Sequence, residues 1–376
     1  MKILHVLSAL GQGGIEKWLV NLTVELQRQH GCEVESEFLT LLSPGGYYRG
    51  TLEAMGCRVH HCQLVWRKLP GFVLQLAALL RRGHYDVVHC HADYLSGLIL
   101  PVARAVGVAT RLSHIHNTEF AFQARRPLLR HGFGRILRRM NVWDGGVCVG
   151  TSAAAIDAYL GPLTNLIRHQ VSVCGIPCAD YRVAVRTEKR ALRASLDWPM
   201  NSKVLLHVGR HSDQKNLLFL LEVVAAVLRR DPSVTCVLAG SGPLTSALQA
   251  KAQDLEIAGN VSFLGSRDDV PHLMRAADLL LLPSRFEGLG LVLIEAQAVG
   301  LASLISEIVP TEVEVVNGLV HRASLSETPD QWAERALEIL QLPLIDPLAA
   351  LKAVEASPFN ITHSAASLMK LYHGAE

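Results

Sequence analysis

The sequence predicts an α/β protein built from two successive doubly wound units. Three observations lead there. Short aliphatic or β-branched runs alternate with segments of helical period, the signature of β/α units around a parallel sheet. The alternation lapses once, over residues 175–187, and then restarts. The chain of 376 residues, 49% apolar and 19% charged, is long and apolar enough to bury two cores.

In chain order, residues 3–8 read as a strand, followed by the loop Gly11-Gln12-Gly13-Gly14. A helix then carries Ile15, Trp18, Leu19, Leu22 and Leu26 along one face. Residues 34–42 and 59–65 read as strands and 72–82 as a helix. The run Asp86-Val87-Val88-His89-Cys90 is nearly all apolar, as expected of a strand covered on both faces. A helix over 94–106 and strands over 109–115 and 146–149 complete the first run. After Gly-Ile-Pro-Cys-Ala-Asp and an arginine-containing stretch without evident period, strands are predicted at 204–208, 235–239, 261–264 and 278–282. Helices are predicted between them at 217–229, 244–255 and 270–277, and a last helix at 361–372 follows Pro358. The expected organisation is therefore 1–175, 176–357 and a tail 358–376 able to cross back to the first unit.

Composition excludes several classes. A net charge of +2 gives no bulk argument for nucleic acid. The eight cysteines sit mostly in apolar runs, and Cys174 and Cys178 have no second pair at zinc-site spacing. Reduced buried thiols in a cytoplasmic protein are expected, with no metal and no cofactor. The apolar start is too short to span a membrane, and the run 217–228 is interrupted by Glu222.

In open α/β sheets ligands bind beyond the carboxyl ends of strands, so the loops there carry the functional reading. The Gly11–Gly14 loop lets backbone approach a ligand at a helix N-terminus, but it lacks the G-x-G-x-x-G spacing of a dinucleotide site. His116 ends a predicted strand and faces a polar loop, a position suited to a sugar hydroxyl or a proton. Arg210 and Lys215 follow the strand 204–208, and two fixed cations there suit a diphosphate. Gly240-Ser241-Gly242-Pro243 is a turn that brings backbone close to a neighbour. The segment 283–296 places Glu287 in a glycine-containing loop and Glu295 on a helix. Were the intervening stretch mostly helical, eight residues would separate the carboxylates by about 12 Å. A retaining hydrolase holds its pair about 5–5.5 Å apart. The two glutamates then read two ends of one long ligand, with the amides around Gly288, Leu289, Gly290 and Leu291 facing a diphosphate between them.

Glu287 and Glu295 match the E-x7-E motif, and nearly the whole chain resembles glycosyltransferase family 4. The resemblance extends to Gly13-Gly14-Ile15-Glu16, to Gly209-Arg210 with Lys215-Asn216, to Gly240-Ser241-Gly242-Pro243, and to Phe263-Leu264-Gly265 with Asp269. It implies two facing Rossmann-like domains of GT-B type with an inter-domain cleft, and a retaining, metal-independent transferase. By that resemblance Arg210 and Lys215 neutralise the leaving diphosphate, Glu287 contacts the donor sugar and Glu295 the ribose, with His116 near the transferred sugar. Gly13, Gly14, Gly240 and Gly242 join the donor-binding set. The hinge departs from the family pattern: Cys174-Gly175-Ile176-Pro177 replaces N-G-I/V-D, with Asp180 displaced.

The implied donor is a nucleotide sugar, UDP-linked on the family's base rate. The acceptor is a saccharide or polyprenyl-diphosphate-linked saccharide in cell-surface polysaccharide assembly. Residues 120–143 hold no acid but carry Arg125, Arg126, Arg130, Arg135, Arg138 and Arg139 among Leu128, Leu129, Phe133, Ile136 and Leu137. Such a segment suits an anionic membrane surface, or else a solvated helix face. Three other readings remain: a nucleotide-sugar epimerase, which needs an acid/base pair not evident here; a catalytically silent binding subunit; and a dehydrogenase, disfavoured by the incomplete glycine loop.

Overall fold

The computed structural model describes residues 1–118 and 128–374. It divides into two compact units, Met1–Gly175 with Ile361–Glu376, and Ile176–Asn360.

The first unit carries β1 (Lys2–Leu7), β2 (Glu35–Thr40), β3 (Val59–His61), β4 (Val87–Cys90), β5 (Thr110–Ile115), β6 (Val147–Gly150) and β7 (His169–Val171). They form one parallel sheet in the order β3-β2-β1-β4-β5-β6-β7. The second unit carries β8 (Val204–Val208), β9 (Thr235–Ala239), β10 (Val261–Gly265), β11 (Leu279–Leu282), β12 (Ser303–Ser306) and β13 (Val320–Ala323). Its parallel sheet runs β10-β9-β8-β11-β12-β13. Each sheet starts at its middle, winds outward one way, then returns to wind the other. The reversal leaves a switch point between β1 and β4 and another between β8 and β11, where ligands of this class of sheet bind.

Burial follows from the two-sided cover. All four residues of β4, β11 and β12 are buried. In the second unit the helix Leu217–Arg230 sets Leu217, Leu220, Leu221 and Val224 into a core completed by Trp332, whose indole N–H donates to the Ser324 carbonyl at 2.9 Å.

The elements differ from the sequence reading in several ways, beginning with the buried strand β12 and the helices Pro329–Ile339 and Pro347–Ala356, which that reading lacks altogether. The stretch read as aperiodic contains the helix Ala179–Arg186, which buries Tyr181, Ala184 and Val185. That is a helical i, i+3, i+4 set hidden among Arg182 and Arg186. The edge strands β7 and β13, three and four residues long with polar side chains, carry too little apolar pattern to be read from sequence. Edge strand β3 likewise ends at His61, four residues short of the predicted run.

The helix Leu128–Asp144 contains the latter part of the basic segment. Arg125 and Arg126 lie outside the described residues, as does the side chain of Arg130. Leu137 and Val142 are buried, and the amide of Asn141 donates to Ser113 Oγ at 2.9 Å and Tyr159 Oη at 3.2 Å. Arg138 turns inward and donates to the Tyr159 carbonyl at 2.6 Å. Arg135 and Arg139 are exposed, and so are Ile136 and Trp143. Among the described residues no helix is long and apolar enough to cross a membrane.

Candidate active site

The loops after β8 and β11 flank the second unit's switch point and are laced to each other. The Arg285 amide donates to the Gln214 carbonyl at 2.8 Å, and the Gln214 side chain returns a bond to the Phe286 carbonyl at 3.0 Å. Within that frame Lys215 Nζ sits 2.5 Å from Glu287 Oε1. The same carboxylate oxygen accepts from Ser284 Oγ at 2.7 Å, and Gln214 Nε2 lies 3.4 Å from Glu287 Oε2. Ser284 is in turn held by Ser306, whose hydroxyl donates to the Ser284 carbonyl at 2.6 Å. Glu287 is buried and Lys215 mostly so. Side chains 72 residues apart are thus fixed as one ion pair before any ligand arrives.

Arg210 is placed differently. It is exposed and makes no salt bridge among the described residues. Its loop is held by the Gly240–Pro243 turn. Gly240 has φ +139°, and a Cβ there would lie 1.9 Å from the Gly209 carbonyl oxygen; one at Gly242 would lie 2.4 Å from that of His211. The His211 amide donates to the Ser241 carbonyl at 3.1 Å. The glycines of this turn therefore pack backbone against the loop that presents Arg210.

Beneath these loops His207 is wholly buried, with Nδ1 3.0 Å from the Leu281 carbonyl. Burial pushes its pKa down to about 3, and nearby Lys215 acts in the same direction. An uncharged imidazole below Lys215 spares the lysine a repulsion.

Glu295 lies on the helix Leu291–Ala298, which opens at Gly290 with φ +91° and no side-chain cap. The helix therefore begins only at Leu291, and the stretch from Glu287 to Gly290 is loop. The expected separation of about 12 Å rested on a mostly helical segment and does not follow for this geometry. What separates the two glutamates is their partners. Glu295 accepts from Tyr181, whose hydroxyl burial and the Glu295 charge hold well above its ordinary range. Gly288 and Leu289 are buried, Gly290 and Leu291 half-buried.

In the first unit Gly13 precedes the helix Gly14–His30 as its N-cap. The Glu16 carboxylate folds back on it, 2.2 Å from where a Gly13 Cβ would stand, while nothing lies within 4 Å of the same position on Gly14. A carboxylate thus faces the positive end of the helix. His116 is buried; its Nε2 lies 3.0 Å from His91 Nδ1, and its Nδ1 faces Cys174 Sγ at 3.9 Å. Both ring nitrogens are engaged inside the unit. The Cys174 that departs from the family hinge pattern therefore packs on the imidazole, and burial pushes its thiol pKa well up.

Lys215, Glu287 and Arg210 share one pair of loops and Glu295 lies on the helix that follows, whereas Gly13, Gly14 and His116 belong to the other unit. Sequence reasoning missed the supports Gln214, Ser284, Ser306 and Tyr181. Only Tyr181 had a signal, the i, i+3, i+4 burial pattern of its helix.

Residues 188–353 match the family described as glycosyl transferases group 1, and residues 13–160 match the glycosyl transferase 4-like domain. EpsF of Bacillus subtilis (strain 168), which carries the name of a glycosyltransferase, is 32% identical over 346 residues, 89% of this chain and 86% of that protein. The UDP-Gal:alpha-D-GlcNAc-diphosphoundecaprenol alpha-1,3-galactosyltransferase of Escherichia coli is 27% identical over 250 residues, 63% of this chain and 61% of its own length. Among solved structures, Anabaena HepE in complex with UDP matches with a TM-score of 0.77 and 18% identity, covering 100% of both chains. At that identity the likeness establishes the GT-B class of fold.

Proposed function

We propose, from the premise that this chain belongs to the group 1 glycosyl transferases, that it is a family 4 enzyme transferring a sugar with retention from a UDP-linked donor. The acceptor is a saccharide, or one carried on a polyprenyl diphosphate, in the assembly of a cell-surface polysaccharide. The observation that carries this reading is the Lys215–Glu287 pair, held at the carboxyl ends of β8 and β11 by loops of which one also carries exposed Arg210. The E. coli relative, whose name pairs a UDP-sugar with a diphosphoundecaprenol acceptor, supports the choice of substrates.

The chemistry follows from charge. As the sugar–phosphate bond breaks, negative charge builds on the departing diphosphate. Arg210 binds it through a planar fork and Lys215 through a point charge, and Lys215 is fixed beforehand, which is where electrostatic catalysis gains most. Glu287, locked by Lys215 and Ser284, contacts the donor sugar, and Glu295 holds the ribose. The acceptor attacks from the face the diphosphate leaves, and the phosphate takes up its proton, so no protein nucleophile is needed. Gly288 and Leu289 with Gly290 and Leu291 supply backbone amides to the phosphates. For Gly13 and Gly14 as donor-binding residues and for His116 near the transferred sugar, the support is the family resemblance alone.

A screen of donor hydrolysis across UDP-, GDP- and ADP-sugars tests this. Turnover is expected with a UDP-sugar, without added Mg²⁺ or Mn²⁺, and should fall at least about 100-fold in Lys215→Met. Turnover of that variant at the wild-type rate, or a strict need for either ion, would overturn the reading.

The same reading includes peripheral attachment to an anionic membrane. Its support is the exposed set Arg135, Ile136, Arg139 and Trp143, since cations with an aromatic ring suit the headgroup layer. Arg138, bonded inward, is not part of it. The protein is expected to sediment with phosphatidylglycerol vesicles and the double variant Arg135→Glu/Arg139→Glu to remain in the supernatant. Wild type that stays in the supernatant refutes the attachment.

A further inference from the structure

Five buried imidazoles occupy one face of the first unit's sheet, where a parallel sheet ordinarily carries aliphatic side chains. They come from two H-x-H sequences and a lone histidine: His89 and His91 at the end of β4, His114 and His116 at the end of β5, and His5 on β1. Period-two alternation turns both members of each H-x-H to the same face. Register aligns the strands, with His5 opposite His89 and Cys90 opposite Ser113, so that His91 and His114 fall level. The indole of Trp18 lies against His91, His114 and His116, with ring centroids 5.9, 5.4 and 5.8 Å away.

We propose that His91, His114 and His116 form a binding site for a divalent transition ion of the Zn²⁺, Co²⁺ or Ni²⁺ class. Each of the three offers a ring nitrogen within 4.8 Å of the other two. His5, His89 and His91 meet the same criterion, but His5 and His89 are wholly enclosed, whereas His91 and His116 each keep 7% exposure. Two of the three rings in the chosen set, those of His91 and His116, lie at the edge where an ion can enter, with His114 behind them.

Hydrogen bonding gives the second argument. A neutral imidazole has one lone pair and one N–H, and a ligating histidine normally donates that N–H to an outer partner. Ligation through His91 Nδ1, His114 Nε2 and His116 Nε2 satisfies this at every position. The remaining nitrogens lie 3.2 Å from His5 Nδ1, 3.1 Å from His89 Nε2 and 3.9 Å from Cys174 Sγ. His89 passes the relay on to Tyr372 Oη at 2.8 Å. His114 Nε2 itself is buried without a well-formed hydrogen bond, although the Ser172 backbone interacts with the ring, and ligation relieves that cost. His91 Nδ1 and His116 Nε2 are 3.0 Å apart. Ligands of a tetrahedral ion at about 2.0–2.1 Å stand about 3.4 Å from one another, so the pair need open only slightly. The sequence places His89 and His91 at the end of the strand neighbouring that of His116, but not the register that brings His91, His114 and His116 together.

The full chain, stripped with chelator and dialysed, is titrated with Zn²⁺ by calorimetry and with Co²⁺ by visible absorption. One equivalent is expected to bind, with the intense d–d bands of a four- or five-coordinate ion, and Co²⁺ should quench a fluorescence component that Trp18→Phe lacks. His116→Ala, checked for an unchanged far-UV spectrum, should lose the bands. Pale octahedral absorption, no heat with Zn²⁺, or bands that survive His116→Ala would each overturn the site and leave the cluster as a hydrogen-bonded histidine core. The wild-type spectrum decides even where the variant fails to fold.

Discussion

At the scale of single residues, the second unit places its charges and its neutral groups with equal care. Lys215 and Glu287 form a pair whose members are 15% and 6% exposed. Removing one partner strands the other, at about 3–5 kcal/mol; Lys215→Met strands Glu287 as an alanine does, but its similar length fills the space the lysine leaves. That is why Lys215→Met rather than an alanine is the informative probe. His207 beneath the pair makes a pH prediction. In the unfolded chain its imidazole titrates near 6.5; in the folded one burial, with Lys215 adding to it, lowers this to about 3. Above 6.5 neither state binds the proton and the buried ring costs nothing. As pH falls below 6.5 the unfolded state takes up a proton the folded state refuses. Stability then drops by about 1.4 kcal/mol per pH unit until the folded pKa is reached. Thermal melts between pH 7 and 4.5, run in chelator, should show a shallower acid slope for His207→Gln than for wild type. Equal slopes would mean that the ring is not the neutral group the geometry describes.

At the scale of elements, the glycine loops show how much of the site could be read and where reading stopped. Gly13, Gly14, Gly240 and Gly242 all stand out in the sequence as places where backbone comes close to something. The sequence does not say to what. Gly240 presses on the Gly209 carbonyl at a φ of +139°, so Gly240→Ala must shift the loop carrying Arg210. It is expected to cost about 1–3 kcal/mol of stability along with donor turnover. Gly14 begins a helix with open space beside it, so Gly14→Ala should leave the melting temperature unchanged. If that space belongs to a ligand, turnover should still fall about tenfold or more, a loss of about 1.4 kcal/mol or more. Full turnover in Gly14→Ala would remove the first loop from the site. The strands and helices that were legible have continuous periodicity, but the short buried strand β12 and the helix Pro329–Ile339 went unread. The edge strands β7 and β13 were not legible, because a half-exposed strand of three or four residues holds too few apolar positions. Lys215 meeting Glu287, and His91 meeting His116, were likewise invisible, since register and loop closure bring them together.

At the scale of the whole molecule, the chain passes between its units twice, once after Gly175 and once after Asn360. The passages are tied. The Ile176 amide donates to the Phe359 carbonyl at 2.7 Å, and a Cβ on Gly175 would stand 2.7 Å from Ile361 Cα, so only glycine lets the second passage run so close. The returning helix Ile361–Tyr372 buries Leu368, Met369, Leu371 and Tyr372 in the first unit. It also donates or accepts at both sides: Tyr372 Oη meets His89 Nδ1 at 2.8 Å, and Thr110 Oγ1 donates to the Tyr372 carbonyl at 3.3 Å. Each large apolar side chain so buried contributes roughly 1.5–3 kcal/mol, a large share of the margin by which a domain is folded. Removing residues 361–376 should therefore weaken the first unit selectively, although every deleted residue is far along the chain from that unit's other strands. Hydrogen exchange read by mass spectrometry distinguishes the outcomes. Amides of β1, β4 and β5 should lose protection, while those of β8, β9 and β11 keep it. A loss spread evenly over both sheets would show that the units unfold as one, and unchanged protection would show that the helix rests on a core already complete without it.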